Sequence, residues 1–321
     1  MRMNTKIWLI IAAVLIILGG IIFTVTMTGS HWDFKNLSSS SYETNTYQIS
    51  ESFTDISMNT NTADIRFLPS GDDTTSVVFY ESQNERHSAA VVDGILTIDI
   101  VDNRSLLDYI GFNFDVPQIT VYLPAGEYAS LSIREDTGDI EIPGDFKFHD
   151  MDIQLSTGDV KSYASVTEFL KIRTSTGDIN MEGFSAGNIE LSTSTGKILI
   201  TDVDCAGDIT ITVSTGDAKI NNCRCKNLTS TGSTGDIILH QVIASGTFSI
   251  RRSTGDVTFE DADAAEIFVK TDTGDVMGSL LTAKVFITTT NTGSVHVPKS
   301  VSGGTCDIIT DTGDIEVRIL N

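Results

Sequence analysis

The chain has 321 residues, enough to bury the core of one or two domains. Its formal net charge is −22. This acidity argues against a nucleic-acid partner, because binding a phosphate backbone requires clustered Lys and Arg. The four cysteines are too few for a disulfide scaffold and show no zinc-ligand spacing. They are Cys205, Cys223, Cys225 and Cys306.

The chain opens with an uncharged apolar run over residues 7–27. At about 1.5 Å per residue it is long enough to cross a hydrocarbon core of about 30 Å. Arg2 and Lys6 precede it and acidic sequence follows, so residues 1–6 are predicted to be a cytoplasmic tail and the bulk to lie outside the cell. The sequence therefore predicts a single-pass membrane anchor. A cleaved signal peptide is the alternative, with a weak cleavage site at residues 28–30.

Polar residues 28–46 are predicted to form an extracellular spacer. Residues 47–125 are predicted to be a β-rich cap that contains a degenerate first coil, in which Ala63 replaces a recurrent glycine. Strands are expected at 76–80 and 89–100, the second bent at Asp93-Gly94. The apolar and aromatic stretch 106–114 is expected to pack as core or cap, with a partner-binding loop as the alternative.

From residue 126 onward the sequence repeats a turn that reads Ser/Asp-Thr-Gly-Asp. Ten copies occur, and their glycines are 19 or 20 residues apart. Eight copies have the full Thr-Gly-Asp triplet after Ser or Asp: Thr137-Gly138-Asp139, Thr157-Gly158-Asp159, Thr176-Gly177-Asp178, Thr215-Gly216-Asp217, Thr234-Gly235-Asp236, Thr254-Gly255-Asp256 and the copies centred on Gly274 and Gly313. The other two are centred on Gly196 and Gly293, with Lys197 and Ser294 at the Asp position.

Apolar residues alternate with polar ones on both sides of each turn, as in Ile209, Ile211, Ala218 and Ile220 around Gly216. This period of two indicates half-buried strands. One such unit cannot bury its apolar side alone, whereas stacked units can. The sequence therefore predicts an all-β fold, a single-chain parallel β-solenoid (β-helix) of about ten coils over 126–321, right-handed by the usual crossover rule.

The turn residues are predicted to be structural. Glycine supplies a backbone conformation that other residues avoid, and the Thr and Asp side chains can bond turn backbone. The Asp residues should form a row about 5 Å apart, for which backbone capping is the main interpretation and a row of Ca²⁺ ions the alternative. No catalytic residue, cofactor site or metal site is predicted.

A column nine residues after the glycine holds only small side chains in the coils from Gly158 to Gly293, and Cys205 and Cys225 occupy it in consecutive coils. The two cysteines are predicted either to act as small apolar residues or to form a disulfide, since their Cα atoms should be within reach.

The recurrent turn, the N-terminal anchor and the divergent first coil together resemble the bacterial toastrack family, whose members are described as candidate adhesins of unknown function. The resemblance covers residues 47–321. It implies a β-solenoid outside the cell, an association with cell-envelope stress systems, and no catalytic residues.

Three functions follow as hypotheses. The first is a non-enzymatic surface module for an unknown envelope protein or glycan, with self-association through an uncapped C-terminal coil as a further option. The second is a carbohydrate-active enzyme, and the third is ice binding through stacked Thr-x-Thr pairs. Those pairs are Thr174/Thr176, Thr193/Thr195, Thr271/Thr273 and Thr310/Thr312. Arg251 and Arg252 are predicted to be a solvated pair, or else a local partner site.

Overall fold

The computed structural model describes residues 5–29, 31–32, 41–83, 85–102 and 115–320. The apolar stretch 106–114 lies outside the described residues. In these ranges the chain forms one helix and one continuous sheet. The elements are α1 (Thr5–Gly29), β1 (Tyr42–Ile49), β2 (Asp55–Asn59), β3 (Asp64–Pro69), β4 (Thr75–Ser82), β5 (Glu85–Val92), β6 (Ile95–Asp102), β7 (Gln118–Leu123), β8 (Gly126–Thr137), β9 (Ile140–Ile142), β10 (Phe146–Thr157), β11 (Val160–Ser162), β12 (Ser165–Thr176), β13 (Ile179–Thr195), β14 (Ile198–Cys205), β15 (Asp208–Thr215), β16 (Ala218–Cys225), β17 (Asn227–Thr234), β18 (Ile237–Thr254), β19 (Val257–Thr273), β20 (Val276–Leu280), β21 (Lys284–Thr292), β22 (Val295–His296), β23 (Gly304–Thr312) and β24 (Ile315–Ile319).

Helix α1 is apolar around its circumference and contributes nothing to the hydrophobic core. Its segment Trp8–Gly29 is long and apolar enough to cross a membrane. A signal sequence near the N-terminus would have the same length and composition. The helix extends a little beyond the predicted range 7–27. The predicted spacer is too long at its C-terminal end, because β1 already begins at Tyr42 and pairs with β4.

Each coil of the solenoid has three short walls. In the coil around Gly216, the first wall is β15, and β16 supplies the second and third walls. Asn222 adopts a positive φ of 45°, which turns the chain between these two walls and shifts the inward positions by one residue. The predicted alternation is thus confirmed, and the side chains of Ile209, Ile220 and Cys223 all point into the core.

Neighbouring coils pair in parallel and in register, so equivalent residues stack along the rod. Ile189, Ile209 and Leu228 are successive members of one such stack. The buried apolar residues form one continuous cluster that runs from the cap to the last coils. Each inner coil therefore buries its apolar side chains against the coils above and below it, as predicted.

The recurrent glycines lie in single file, but the last two do not follow the order of the sequence, because Gly313 lies between Gly274 and Gly293. A Cβ atom added to Gly313 would meet the carbonyl oxygen of Gly274, and one added to Gly293 would meet that of Gly313. Accordingly, β23 lies between β19 and β21, and β24 lies between β20 and β22. The prediction that the C-terminal coil is uncapped at the end of the stack is therefore wrong. That coil is inserted, and the outermost coil is formed by β21 and β22.

The other end is interleaved in the same way. The degenerate first coil, β2 and β3, lies between a coil made of β6 and β7 and the coil made of β8 and β9. Ala63 takes the glycine position and is fully buried, in line with the prediction. The strands β4, β5 and β1 then add antiparallel to the outer edges, and β5 and β6 meet in a hairpin at Asp93-Gly94. Strands β1 to β7 thus form a cap.

A buried ion pair spans the inserted coil. Lys284 Nζ lies 2.6 Å from Asp263 Oδ1, and the two side chains are 3% and 10% exposed. The lysine belongs to the outermost coil and the aspartate to a coil below the inserted one. Gly304 stands between them, opposite Lys284 in β21, and a side chain at this position would collide with the backbone of Ala265. The pair therefore ties the outermost coil to the body of the rod.

Candidate functional site

The row of aspartates beside the glycine file caps backbone N–H groups between coils. Asp159 N donates to Asp139 Oδ1 at 2.8 Å, and Asp178 N donates to Asp159 Oδ1 at 2.7 Å. The same bond recurs along the row, from the cap to the terminal coil. Lys197 has no carboxylate, and its Nζ instead lies 3.9 Å from Asp217 Oδ2. Each carboxylate thus accepts a hydrogen bond from a backbone N–H group one coil away. The aspartates therefore cap backbone groups, but between coils.

The described residues contain no group of three His, Cys, Asp or Glu side chains arranged to hold a metal ion. The aspartates are spread in a line, whereas a Ca²⁺ site requires six or more oxygen ligands that converge. The geometry gives no support to a row of Ca²⁺ ions.

The glycine file brings backbone very close to backbone. A Cβ atom on Gly158 would lie 2.0 Å from Gly138 O, and the φ of Gly158 is +137°. Both the space and the dihedral angle therefore exclude other residues. The threonine before each glycine, such as Thr157, is exposed.

The threonine three positions before the glycine is buried in the four inner coils that have it, as Thr174, Thr193, Thr271 and Thr310. Thr193 Oγ1 donates to Gly177 O at 3.0 Å, and Thr310 Oγ1 donates to Gly274 O at 3.0 Å. Only one member of each Thr-x-Thr pair is therefore exposed. These residues therefore do not form the stacked rows of exposed, paired threonines that the ice-binding hypothesis requires.

The outer face of the first wall carries rows of hydroxyl groups in the middle of the rod. These residues lie one, two, four and six positions before Gly196, Gly216, Gly235 and Gly255. We call them the hydroxyl face: Ser192, Ser194, Thr195, Thr210, Thr212, Ser214, Thr215, Thr229, Thr231, Ser233, Thr234, Ser249, Ser253 and Thr254. All are exposed or partly exposed. Because the coils repeat at about 4.8 Å, the hydroxyl groups form a regular array.

Toward the cap, this face continues into a shallow depression of about 480 Å³. Its rim has Arg134, which donates to Gln154 Oε1 at 3.0 Å, and Arg173, which donates to Glu190 Oε1 at 2.6 Å. The arginine bond lowers the pKa of Glu190. The hydroxyl face therefore ends in charged groups that are held in place by neighbouring side chains.

Glu135 lies beneath this depression and is 4% exposed. Its Oε1 accepts a hydrogen bond from Ala63 N at 3.1 Å, and no hydrogen-bond partner for Oε2 is found in the described residues. Burial raises the pKa of this carboxyl group to about 8. The group is therefore largely protonated at neutral pH.

Glu135→Gln should change how stability depends on pH. The unfolded carboxyl group titrates near 4.5 and the folded one near 8, so between these values only the folded protein keeps the proton. Stability of the wild type should fall as pH rises through this window, and the loss should reach at least about 2 kcal/mol by pH 8. Glutamine keeps an oxygen for Ala63 N and has no charge. We expect the variant to lose this slope when melting temperature is measured from pH 5 to 9.

The matched control for this titration is the exposed carboxylate Glu141, whose Glu141→Gln variant should keep the wild-type slope. Parallel profiles for Glu135→Gln and the wild type would contradict the assignment.

Arg252 is buried, contrary to the predicted solvated pair, whereas Arg251 is exposed. The Arg252 guanidinium fills the space above Gly232 in the coil below, and its Nη2 donates to Ser230 Oγ at 3.0 Å. Burial lowers the pKa of this arginine. The sequence signal for this burial is the glycine at the equivalent position one coil earlier.

All four cysteines are free thiols and all are buried. Cys205 and Cys225 occupy the small-residue column together with Ala186, Ala244 and Ala264, and these five residues are all buried. Burial raises the pKa of the Cys205 thiol to about 11 and that of Cys225 to about 12. Thiols of this kind are poor nucleophiles and poor metal ligands.

We expect no thiol of the folded chain to react with a chromogenic disulfide reagent at pH 8 within minutes, and four to react after unfolding in guanidinium. Two reactive thiols in the unfolded chain would instead indicate a Cys205–Cys225 bond.

A second side-chain ladder lies at another corner of the coil and was not anticipated. Asp208 N donates to Asn188 Oδ1 at 3.1 Å, Asn227 Nδ2 donates to Asp208 Oδ1 at 2.8 Å, and Thr247 N donates to Asn227 Oδ1 at 2.9 Å. The recurrence of Asn or Asp eight positions before the glycine was the available signal. Like the aspartate row, this ladder joins coils to one another.

A three-walled parallel solenoid with an exposed, repetitive face places the chain in the class of repeat-built β-solenoid proteins. Residues 53–242 and 241–321 match the Toastrack DUF4097 family, and the chain belongs to that family.

The chain is also similar to solved bacterial structures. One is a candidate adhesin from Bacteroides fragilis, with 14% identity and a TM-score of 0.40 over 88% of this chain and 99% of that chain. A candidate adhesin from Parabacteroides distasonis has 12% identity and a TM-score of 0.48 over 87% and 98%. A candidate lipid-binding protein from the same species has 18% identity and a TM-score of 0.46 over 75% and 95%. No curated protein is significantly similar to the chain.

Proposed function

We propose that the chain is a non-enzymatic binding module, anchored in the cell membrane by α1 and displayed outside the cell, where it contributes to the cell envelope and its stress response. The length and composition of α1 support the anchor. Membership of the toastrack family supports a surface role.

The observation that carries the proposal is the hydroxyl face. Its groups repeat with the coil, they are uncharged, and they are accessible on a flat strand surface. A repetitive array of donors and acceptors suits a ligand that itself repeats, and a glycan of the envelope is such a ligand. An enzyme would require one singular cluster of acids and bases, and the carboxylates of the turn are instead periodic and bonded to backbone.

Binding to the full chain in nanodiscs tests the proposal, with envelope polysaccharides from Gram-positive and Gram-negative cells as probes. The double variant Thr212→Lys/Thr231→Lys, in the middle of the hydroxyl face, should weaken binding at least about tenfold. Thr258→Lys on the second wall is the control for each single variant, Thr212→Lys or Thr231→Lys, because it adds the same charge away from the face.

Equal binding by both variants and the wild type, or turnover of any probe, would overturn the proposal. Either outcome leaves the fold assignment untouched.

A further inference from the structure

The two ends of the rod are protected very differently. At the cap, the edge strands β1 and β5 carry charged side chains, and Arg86 forms an ion pair with Glu43 across them. Such charges keep a strand edge from pairing with other strands. At the opposite end, β21 pairs only with β23 and β22 pairs only with β24 among the described strands. The outer edge of the terminal coil is therefore unpaired there.

The edge of β21 has none of the usual protection. Residues 285–292 read Val-Phe-Ile-Thr-Thr-Thr-Asn-Thr, with no charge and no proline. Most of these residues are β-branched and favour extended backbone. An uncharged edge of this kind is a template for another strand.

Exposed apolar side chains are concentrated at the same end. Between residues 126 and 264, Phe169 is the one large exposed apolar residue. The last three coils in space have eight: Phe268, Met277, Leu281, Ile287, Val295, Val301, Ile309 and Leu320. Ile287 is 54% exposed and Val301 fully exposed. Clustering at a strand edge marks an interaction surface.

The lack of acidic residues at this end favours a second copy of the chain as the partner. Residues 276–306 contain no Asp or Glu, although the whole chain has 43 of them. Two copies of an acidic rod repel each other along their sides, whereas two terminal coils meet without opposed carboxylates. One interior position of the terminal coil is also polar, with Thr288 opposite Ile308 of the inserted coil, so the coil tolerates water before it is covered.

We propose that the terminal coil, residues 284–296, is a self-association site that pairs edge to edge with the terminal coil of a second copy of this chain. A two-fold axis would make the contact isologous, with the same residues on both sides. If the anchor of the proposed function holds, the cap faces the membrane and the tips meet most directly between chains in facing membranes.

The test is the molar mass of the full chain in detergent, measured by light scattering over a range of concentrations. We expect a dimer, and we expect Ile287→Lys to shift the midpoint at least about tenfold toward monomer, because a lysine on the edge opposes pairing. Phe169→Lys is the matched control, since it replaces an exposed apolar residue and adds the same charge far from the edge.

A second readout removes any dependence on the folding of one variant. Thr289→Cys should give an intermolecular disulfide on mild oxidation, and Thr212→Cys should not. Any of three outcomes would overturn the inference. The wild type could be a monomer, the dimer could persist in Ile287→Lys, or a monomer could bind anionic vesicles through its tip. None of these results bears on glycan binding by the hydroxyl face.

Discussion

Gly196→Ala should lower the melting temperature of the chain by roughly 10 °C, about 3–5 kcal/mol, because the new methyl group has no space and the backbone no suitable conformation. The added Cβ would lie 2.0 Å from Gly177 O, and φ at Gly196 is +144°. Neither coil can move away, since each is held by strands on both sides. The measurement is thermal unfolding followed by far-ultraviolet circular dichroism.

Gly126→Ala is the control for this experiment. No atom lies within 4 Å of its added Cβ, and its φ is not in the positive range. We expect a change within about 0.5 kcal/mol. A mild effect at Gly196, equal to that at Gly126, would contradict the close stacking of the turns.

Lys284→Met should cost about 3–5 kcal/mol, because it leaves Asp263 buried without its counter-charge. The side chain of Asp263 is 10% exposed and its carboxylate is 2.6 Å from the lysine. Replacing both residues, as Lys284→Met/Asp263→Leu, should recover most of the loss, since an apolar pair removes both buried charges. Urea denaturation of these two variants and of the single variant Asp263→Leu gives the coupling energy.

The exposed pair Lys147–Glu127 provides the comparison, with side chains 44% and 73% exposed. Lys147→Met should cost no more than about 1 kcal/mol. If Lys284→Met were as mild, the pair would not hold the outermost coil in place.

The repeating part of the fold could be predicted from the sequence because its determinants are local and recur. Alternation around Gly216 indicates strands, and the column of Cys205 and Cys225 indicates a narrow corner. The order of the last coils could not be predicted in this way. Gly293 and Gly313 have nearly the same sequence context, and which of them pairs with the coil of Gly274 depends on long-range packing.

The site was harder to predict than the fold. The aspartate row was expected, but its bonds run to the next coil rather than within the turn. Arg252 was misjudged because a charged residue inside a coil is rare, and the space that accepts it is created by Gly232, a coil away. The hydroxyl face emerged only once the walls were known, since serine and threonine are also common in turns.

The interleaved ends bear on how the rod opens. In a simple stack of repeats, the outermost unit can fray from its free end one residue at a time. Here the outermost coil is a loop tethered on both sides, to β20 through residues 281–283 and to β23 through residues 297–303. It can leave only as a whole, with the breakage of its ion pair to Asp263. Amide protons at the tip should therefore exchange in one cooperative step, rather than in a gradient that decays toward the end.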